Sequence, residues 1–490
     1  MPNAQEIPEH RADALFALPV IPRRAALLGE LPGWAGDLVE RRVEVVAPAD
    51  AEVVVADGDH VSQALAAGRG AVVVDGPRGV AASLRAAGLS TTRLLPIPVT
   101  GSPVVYADLA ERRAARFGIE RVIVHPERWR TLRNRAAALL IVAGLPLPVE
   151  RLVTLGVRRS GRPAFITAAH ALGVDPASEW SMLVSKGSVV RRNAFFLIPP
   201  GRSEPEHVLK FSRVPEMRVA FDREQRGFEL AAAAGISVQR HATTSIGRFV
   251  VDDFHASVET AALGTKLATL LRRPGSRSDK LAVLDRIARW LIEVARETAV
   301  PPAALGEARE HYARDVAPFW AAEGAPPDLV DRLPPVPGAF QHNDMAEENL
   351  IVDGGDFRAL DWEWANPHGL PLGDLVYFGV HVLRIVDGAL SEDPVERDGH
   401  FAALLAGEAP SSPVMFGWLR DAARELQLPP ASLGPLVTLS WLERGRLSRL
   451  ERWRAEEVSG APVGLPFAER AAKLWLEHPA LGPRWDAVQA

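Results

Sequence analysis

The chain of 490 residues contains no cysteine. Disulfides, thiolate metal sites and thiol nucleophiles are therefore excluded, and the absence fits a reducing cytoplasm. Excess charge is missing too: 56 Lys and Arg stand against 61 Asp and Glu, a formal net charge of -5. That balance offers no basic stripe for nucleic acid and no polybasic anchor for a membrane surface. Long apolar runs are also lacking. AAALLIVAGLPLPV at 136–149 is broken by Gly and Pro before it reaches bilayer-spanning length. The opening MPNAQEIPEHRADALF has neither the basic flank nor the apolar core of a signal peptide. No targeting or transmembrane segment is expected.

What is present reads as globular, with 47% hydrophobic and 24% charged residues and enough chain for two or three domains. Up to about residue 145, short β-rich runs alternate with helical ones. VEVVA (43–47), EVVVA (52–56), AVVVD (71–75), RLLPIPV (93–99) and RVIVH (121–125) suit buried strands. Between some of them lie VSQALAAG (61–68) and RGVAASLRAAG (78–88), with helical spacing. The alternation predicts an α/β domain over 1–158 with a mainly parallel sheet, at most a degenerate Rossmann-like one. VDGPRGVAASLRAAG (74–88) follows a strand and opens a helix, but it lacks both G-x-G-x-x-G and the P-loop pattern. A tight turn is the plainer reading, and this domain is left without a role. A methyltransferase-like sheet is the rival reading.

The stretch 159–183, which includes RRSGRP, reads as a linker, and the halves are expected to separate at 158–175. From 184 to 258 the texture is that of hairpins: SVVRRNAFFLIPPG, HVLKFSR and GRFVVDDF alternate polar and apolar residues. One Ala-rich helix, EMRVAFDREQRGFELAAAAG (216–235), interrupts it. From 259 to 490 helices dominate. The prediction is an α+β two-lobed unit after the α/β domain.

The chemistry concentrates in QHNDMAEENLIVDGGDFRALDWEW (341–364), which sets acids and amides around two short strands. Buried carboxylates need partners or a metal. LIVDGGDFRAL reads as a hairpin that returns Asn349 and Asp361 to one end. HNDMAEEN fits H-x-D-x-x-x-x-N, and ALDWEWANPHGLPLGDL fits D-W-E followed by G-x-P-x-x-D-L. In these linked motifs the chain resembles the aminoglycoside phosphotransferase and choline kinase-like family, over roughly residues 184–475.

The resemblance implies a protein kinase-like fold, an ATP-dependent transfer of the γ-phosphate to a hydroxyl, and Mg²⁺. It implies that Asp344 takes the hydroxyl proton, that Asn349 and Asp361 hold the metal, and that Lys210 meets the phosphates with Glu224 as its partner. By the same likeness, the turn at 185–193 with Ser188 covers the phosphates, and VVDDF with Asp253 joins the lobes beside adenine. His342 is expected to hold the loop rather than act as a base, and Glu363 and Asp374 to be structural or substrate-facing. Asn343 replaces the family's Gly, and Ala346, Glu347 and Glu348 replace its His-Pro-Gly. Both departures put loop shape and substrate in question. The expected partner is a small-molecule acceptor: a sugar, aminosugar, amino alcohol or related metabolite. Glu347 and Glu348 would suit a cation or be solvated charges. A catalytically silent, nucleotide-binding or scaffold protein is the alternative. The sequence does not encode the oligomeric state.

Overall fold

The computed structural model describes residues 11–485, apart from 32, 68–69, 78, 99–102, 123–127, 146, 148, 150, 186–189, 303–305, 392, 461, 479–480 and 482–484. It divides into two compact units, Met1–Phe221 with Ser245–Ala261, and Asp222–Thr244 with Ala262–Ala490.

Among the described residues the first unit carries twelve strands: β1 Arg24–Leu28, β2 Glu44–Val45, β3 Val53–Asp57, β4 Ala71–Pro77, β5 Ser90–Ile97, β6 Val105–Asp108, β7 Arg151–Val157, β8 Glu179–Leu183, β9 Asn193–Ile198, β10 His207–Phe211, β11 Ser245–Val251 and β12 Phe254–Thr260. All lie in one sheet, in the order β11-β12-β10-β9-β8-β6-β5-β7-β4-β3-β1-β2. The mainly parallel sheet expected for 1–158 is instead mixed. β2, β1, β3 and β4 pair in parallel, whereas β4–β7, β7–β5 and β5–β6 are antiparallel. A Val-rich run buried on both faces looks the same whichever way it points, so direction was not readable from texture. Gly76 lies within β4 opposite Leu152 of β7, and a Cβ there would lie 3.0 Å from the Gly58 backbone.

The segment 159–183, expected as a linker, is part of the core. It holds the helix Ala164–Ala169 and β8, and β8 is registered on β6 and on β9. Phe165 of that helix stacks on Phe211 with ring centres 4.6 Å apart, and Phe211 stacks on Phe195 at 5.0 Å. Phe16, from the 3₁₀ turn Arg11–Ala17, meets Phe211 and Phe254 edge-on at 5.2 and 5.7 Å. Each such pair adds about 0.5–1.5 kcal/mol beyond the area it buries. A buried ion cluster ties the same parts together: Asp13 takes Arg41 at 2.7 Å and Arg213 at 3.1 Å, while Arg11 reaches Asp75 at 2.9 Å. Buried pairs like these fix position more than they add stability. The hairpin strands β8–β12 and the first 158 residues therefore share one sheet and one core. The charged flanks of RRSGRP hid Phe165, Ile166 and Trp180.

The second unit is mostly helical. Helix α1 (Arg218–Ala234) begins in the first unit and enters the second after Phe221. α2 (Arg277–Glu297) starts at Ser276, whose hydroxyl accepts from the Asp279 N–H at 3.0 Å. α3 (Gly373–Val386) is buried over nearly its whole length and packs against α2 and against α4 (Leu433–Ser459). Its short strands among the described residues are β13 Thr265–Lys266, β14 Ala339–Gln341, β15 Leu350–Asp353, β16 Asp356–Ala359 and β17 Asn366–Gly369. β13, β15 and β16 form one small sheet, and β14 pairs with β17. Among the described residues no helix is long and apolar enough to cross a membrane.

Candidate active site

The acid-rich loop leaves β14 at Gln341, and its first turn is fastened from below. The N–H groups of His342 and Asn343 donate to the two oxygens of Asp374, at 2.5 and 2.7 Å. Asp374 stands at the start of α3, and its own N–H donates to Gln341 Oε1 at 2.9 Å. Burial pushes the Asp374 carboxyl above the usual range, opposed by His342 and the two N–H groups. Asp374 is thus the support of the loop. Asn343 has φ 62°, a left-handed conformation that Asn tolerates better than most residues. Its amide donates to the Trp364 carbonyl at 2.9 Å. The departure from the family's Gly therefore fits the backbone and adds a strut.

Both ring nitrogens of His342 are occupied. Nε2 donates to the Leu360 carbonyl at 2.8 Å, and Nδ1 accepts the Asp344 N–H at 3.2 Å. With its tautomer fixed this way, His342 holds the loop, as expected.

Asp344 is gripped on each oxygen. Asn349 Nδ2 donates to Oδ2 at 3.0 Å and to the Asp344 carbonyl at 2.9 Å, and Arg444 of α4 bonds Oδ1. Two acceptors on Nδ2 fix which way the Asn349 amide faces, and its oxygen is left for another partner. The expected hairpin is present, with Leu350 opposite Ala359 and the turn after Asp353. It returns the chain so that the Leu360 N–H donates to the Asn349 carbonyl at 2.9 Å. Asp361 follows at once, in a left-handed conformation with φ 64° and ψ 61°. An amide oxygen and a carboxylate suit Mg²⁺, which prefers hard oxygen ligands and keeps several waters. Among the described residues no group of three or more His, Asp or Glu gathers as a metal cage.

The two loop acids that suggested a cationic acceptor have partners of their own. Glu347 is buried, with His381 at 2.8 Å and Arg384 at 3.8 Å. Burial alone would raise its carboxyl, but the contacts with His381 and Arg384 hold it down at about 2. Glu348 is exposed, with Lys266 at 3.3 Å and Arg272 at 3.9 Å.

Three charged residues missed in the sequence complete the surroundings. Arg444 is one. Arg223 of α1 is another: it lies over the Trp364 ring at 3.6 Å and reaches Glu363 at 3.4 Å. Gly227, one turn further along the helix, makes this approach possible, since a Cβ there would lie 1.9 Å from the Trp362 carbonyl oxygen. The third is Glu451 of α4. Burial raises its carboxyl; Arg444 and Arg223 pull it down, while Asp344 and Asp361 push it up. All three sit on long helices among other charges, where a solvated face is the ordinary expectation.

In the first unit, Lys210 on β10 pairs with Glu259 of β12 at 3.0 Å. Glu224, its expected partner, is a buried residue of α1 in the second unit. Ser188 lies outside the described residues. The Ser185 N–H donates to Asn193 Oδ1 at 3.1 Å. The expectation for Asp253 needs correction. Asp252 and Asp253 form the two-residue turn of the β11–β12 hairpin, with φ 47° and 70°. Asp253 is bonded by Arg23 at 3.2 Å. The stretch is a hairpin turn inside one sheet, so it does not join two lobes.

No family model matches the chain, and no curated protein matches it. Among solved structures it is similar to a candidate aminoglycoside phosphotransferase from Ralstonia eutropha JMP134, at 15% identity over 66% of this chain and 97% of that one, with a TM-score of 0.40. It is similar to a glucosamine kinase in complex with glucosamine, ADP and inorganic phosphate, at 15% identity over 68% and 86%, with a TM-score of 0.32. It is also similar to WbdD, at 11% identity over 93% and 91%, with a TM-score of 0.28.

Proposed function

We propose that this chain is an ATP-dependent phosphotransferase that moves a γ-phosphoryl group onto a hydroxyl of a small molecule. The observation that carries the reading is the arrangement at Asp344. Its carboxylate is held by an amide and a guanidinium on a loop whose first turn is pinned by Asp374 and whose histidine has a fixed tautomer. Such a carboxylate is suited to take a hydroxyl proton and to aim the oxygen along the line of attack.

Asn349, through its amide oxygen, and Asp361 would hold Mg²⁺. When bound, the metal neutralises phosphate charge, the main requirement of a loose phosphoryl transfer. Lys210 is the cation assigned to the phosphates, and Glu224 remains the carboxylate assigned to it. The acceptor belongs to the sugars, aminosugars, amino alcohols and related metabolites. Glu347 and Glu348, already paired, give no reason to favour a cationic one. The same pairing argues against the silent alternative: the residues that depart from the family pattern are built into the loop rather than left to collapse it.

The test is transfer of label from γ-labelled ATP by the full chain, with Mg²⁺, to a panel of hexoses, hexosamines, ethanolamine and choline. Labelled product from at least one acceptor is expected. ATP binding with no transfer and no hydrolysis would favour the silent reading.

A further inference from the structure

We infer that Arg444 is a positioning residue for Asp344. The inference rests on the reading of Asp344 as the group that takes the acceptor's proton.

Helix α4 carries several arginines, and their partners separate their roles. Arg449 donates to Glu469 at 2.8 Å and to Glu323 at 2.9 Å. Arg452 donates to Glu469 at 3.0 Å and to Glu456 at 2.9 Å. These are fastenings between helices and turns, each built on two glutamates. Arg444 is different. Among the described residues it donates only to Asp344 and, at 3.4 Å, to the Tyr377 hydroxyl. Its guanidinium lies 4.8 Å from the Tyr377 ring centre. Its Nε and Nη1 are buried with no hydrogen-bond partner among the described residues. Arg449 Nη2 is likewise buried without a partner, so what sets Arg444 apart is that, among the described residues, Asp344 is the carboxylate it hydrogen-bonds. The ion pair with Asp344 is the strong bond that the position secures.

The geometry then defines what Arg444 does. Asp344 has two oxygens and one rotatable side-chain end. The Asn349 amide fixes Oδ2, and Arg444 fixes Oδ1. With both held, the carboxylate plane cannot turn. Each ionised oxygen still has a second lone pair, and one of these is free to take a hydroxyl hydrogen. Tyr377 steers the guanidinium from the side of α3. Removing Arg444 leaves Asp344 ionisable but with one anchor, free to rotate about it. Misplacement of a reacting group by about 1 Å costs on the order of 10²-fold.

A double-mutant cycle on the full chain tests this, with MgATP as the substrate, water as the acceptor and ADP release as the signal. Asp344→Asn and Arg444→Gln are each expected to lower kcat by about 10²-fold, with the KM for MgATP within about twofold of wild type. The double variant is expected to be no worse than about threefold below the poorer single variant, because the two residues act as one unit. Arg444→Lys, which restores a cation, is expected to regain at least about tenfold over Arg444→Gln. An Arg444→Gln protein with wild-type kcat, beside an impaired Asp344→Asn, would overturn the positioning role and leave the base reading standing. Losses that multiply in the double variant would overturn it as well. An unimpaired Asp344→Asn would overturn the base reading and this inference with it. Should Arg444→Gln fail to fold, the same cycle is run with Arg444→Lys, and multiplying losses again count against the inference.

Discussion

Glu347 is the clearest place to test the loop's support without touching the chemistry. Its carboxyl is buried, bonded to His381 at 2.8 Å and held at about 2. In the unfolded chain the ordinary glutamate value applies, about 4.3. A group whose value is lower in the folded state stabilises that state above the unfolded value and loses the contribution as pH falls through the folded one. The difference corresponds to about 3 kcal/mol at pH 7 and about 1 kcal/mol at pH 3, from 1.36 kcal/mol per pKa unit. Glu347→Gln keeps the shape and removes the charge. Urea unfolding of wild type and variant should therefore show a gap of about 3 kcal/mol at pH 7, shrinking to about 1 kcal/mol at pH 3. A gap of the same size at both pH values would refute the reasoning, as would a variant as stable as wild type at pH 7.

Gly227→Ala should destabilise the protein by about 1–3 kcal/mol, because the added carbon meets backbone at Trp362 and not a movable side chain; a melting temperature unchanged to within a degree would count against the close approach. In a fragment of residues 176–490 the strands β8–β12 should fail to form their sheet, since they lose Phe16, Phe165, the Asp13 partner of Arg213 and the β6 edge on which β8 is registered; native-like amide protection across β8–β12 in that fragment would show that the shared core is not needed. Asp361→Ala should remove the magnesium dependence of ATP binding in calorimetry, and unaltered affinity with an unaltered metal requirement would show that Asp361 is not a ligand.

The parts of the site that were legible in the sequence are the parts made locally. The β15–β16 hairpin declares itself by two apolar runs around Asp-Gly-Gly-Asp, and the structure has it with the predicted strands paired. The holding role of His342 is likewise set by its neighbours Leu360 and Asp344. What could not be read depends on distance along the chain. Arg444 lies 100 positions from Asp344 and looks, in sequence, like any other arginine on a charged helix. Glu347 and Glu348 look alike as adjacent acids, yet one is buried against His381 and the other is exposed. The turn at Asp252 and Asp253 was misread because both residues take positive φ without the glycine that usually announces it. The boundary near residue 160 was misplaced because local composition decided it, whereas the sheet running through β6, β8 and β9 is a long-range property.

Whether this protein moves a phosphoryl group is settled by following γ-labelled ATP with the full chain and its Asp344→Asn variant side by side, with Mg²⁺ and the acceptor panel. The account predicts labelled acceptor from wild type, a loss of about 10²–10⁴-fold in the variant, and MgATP affinity nearly the same in both. Transfer by the variant within a few-fold of wild type would contradict it.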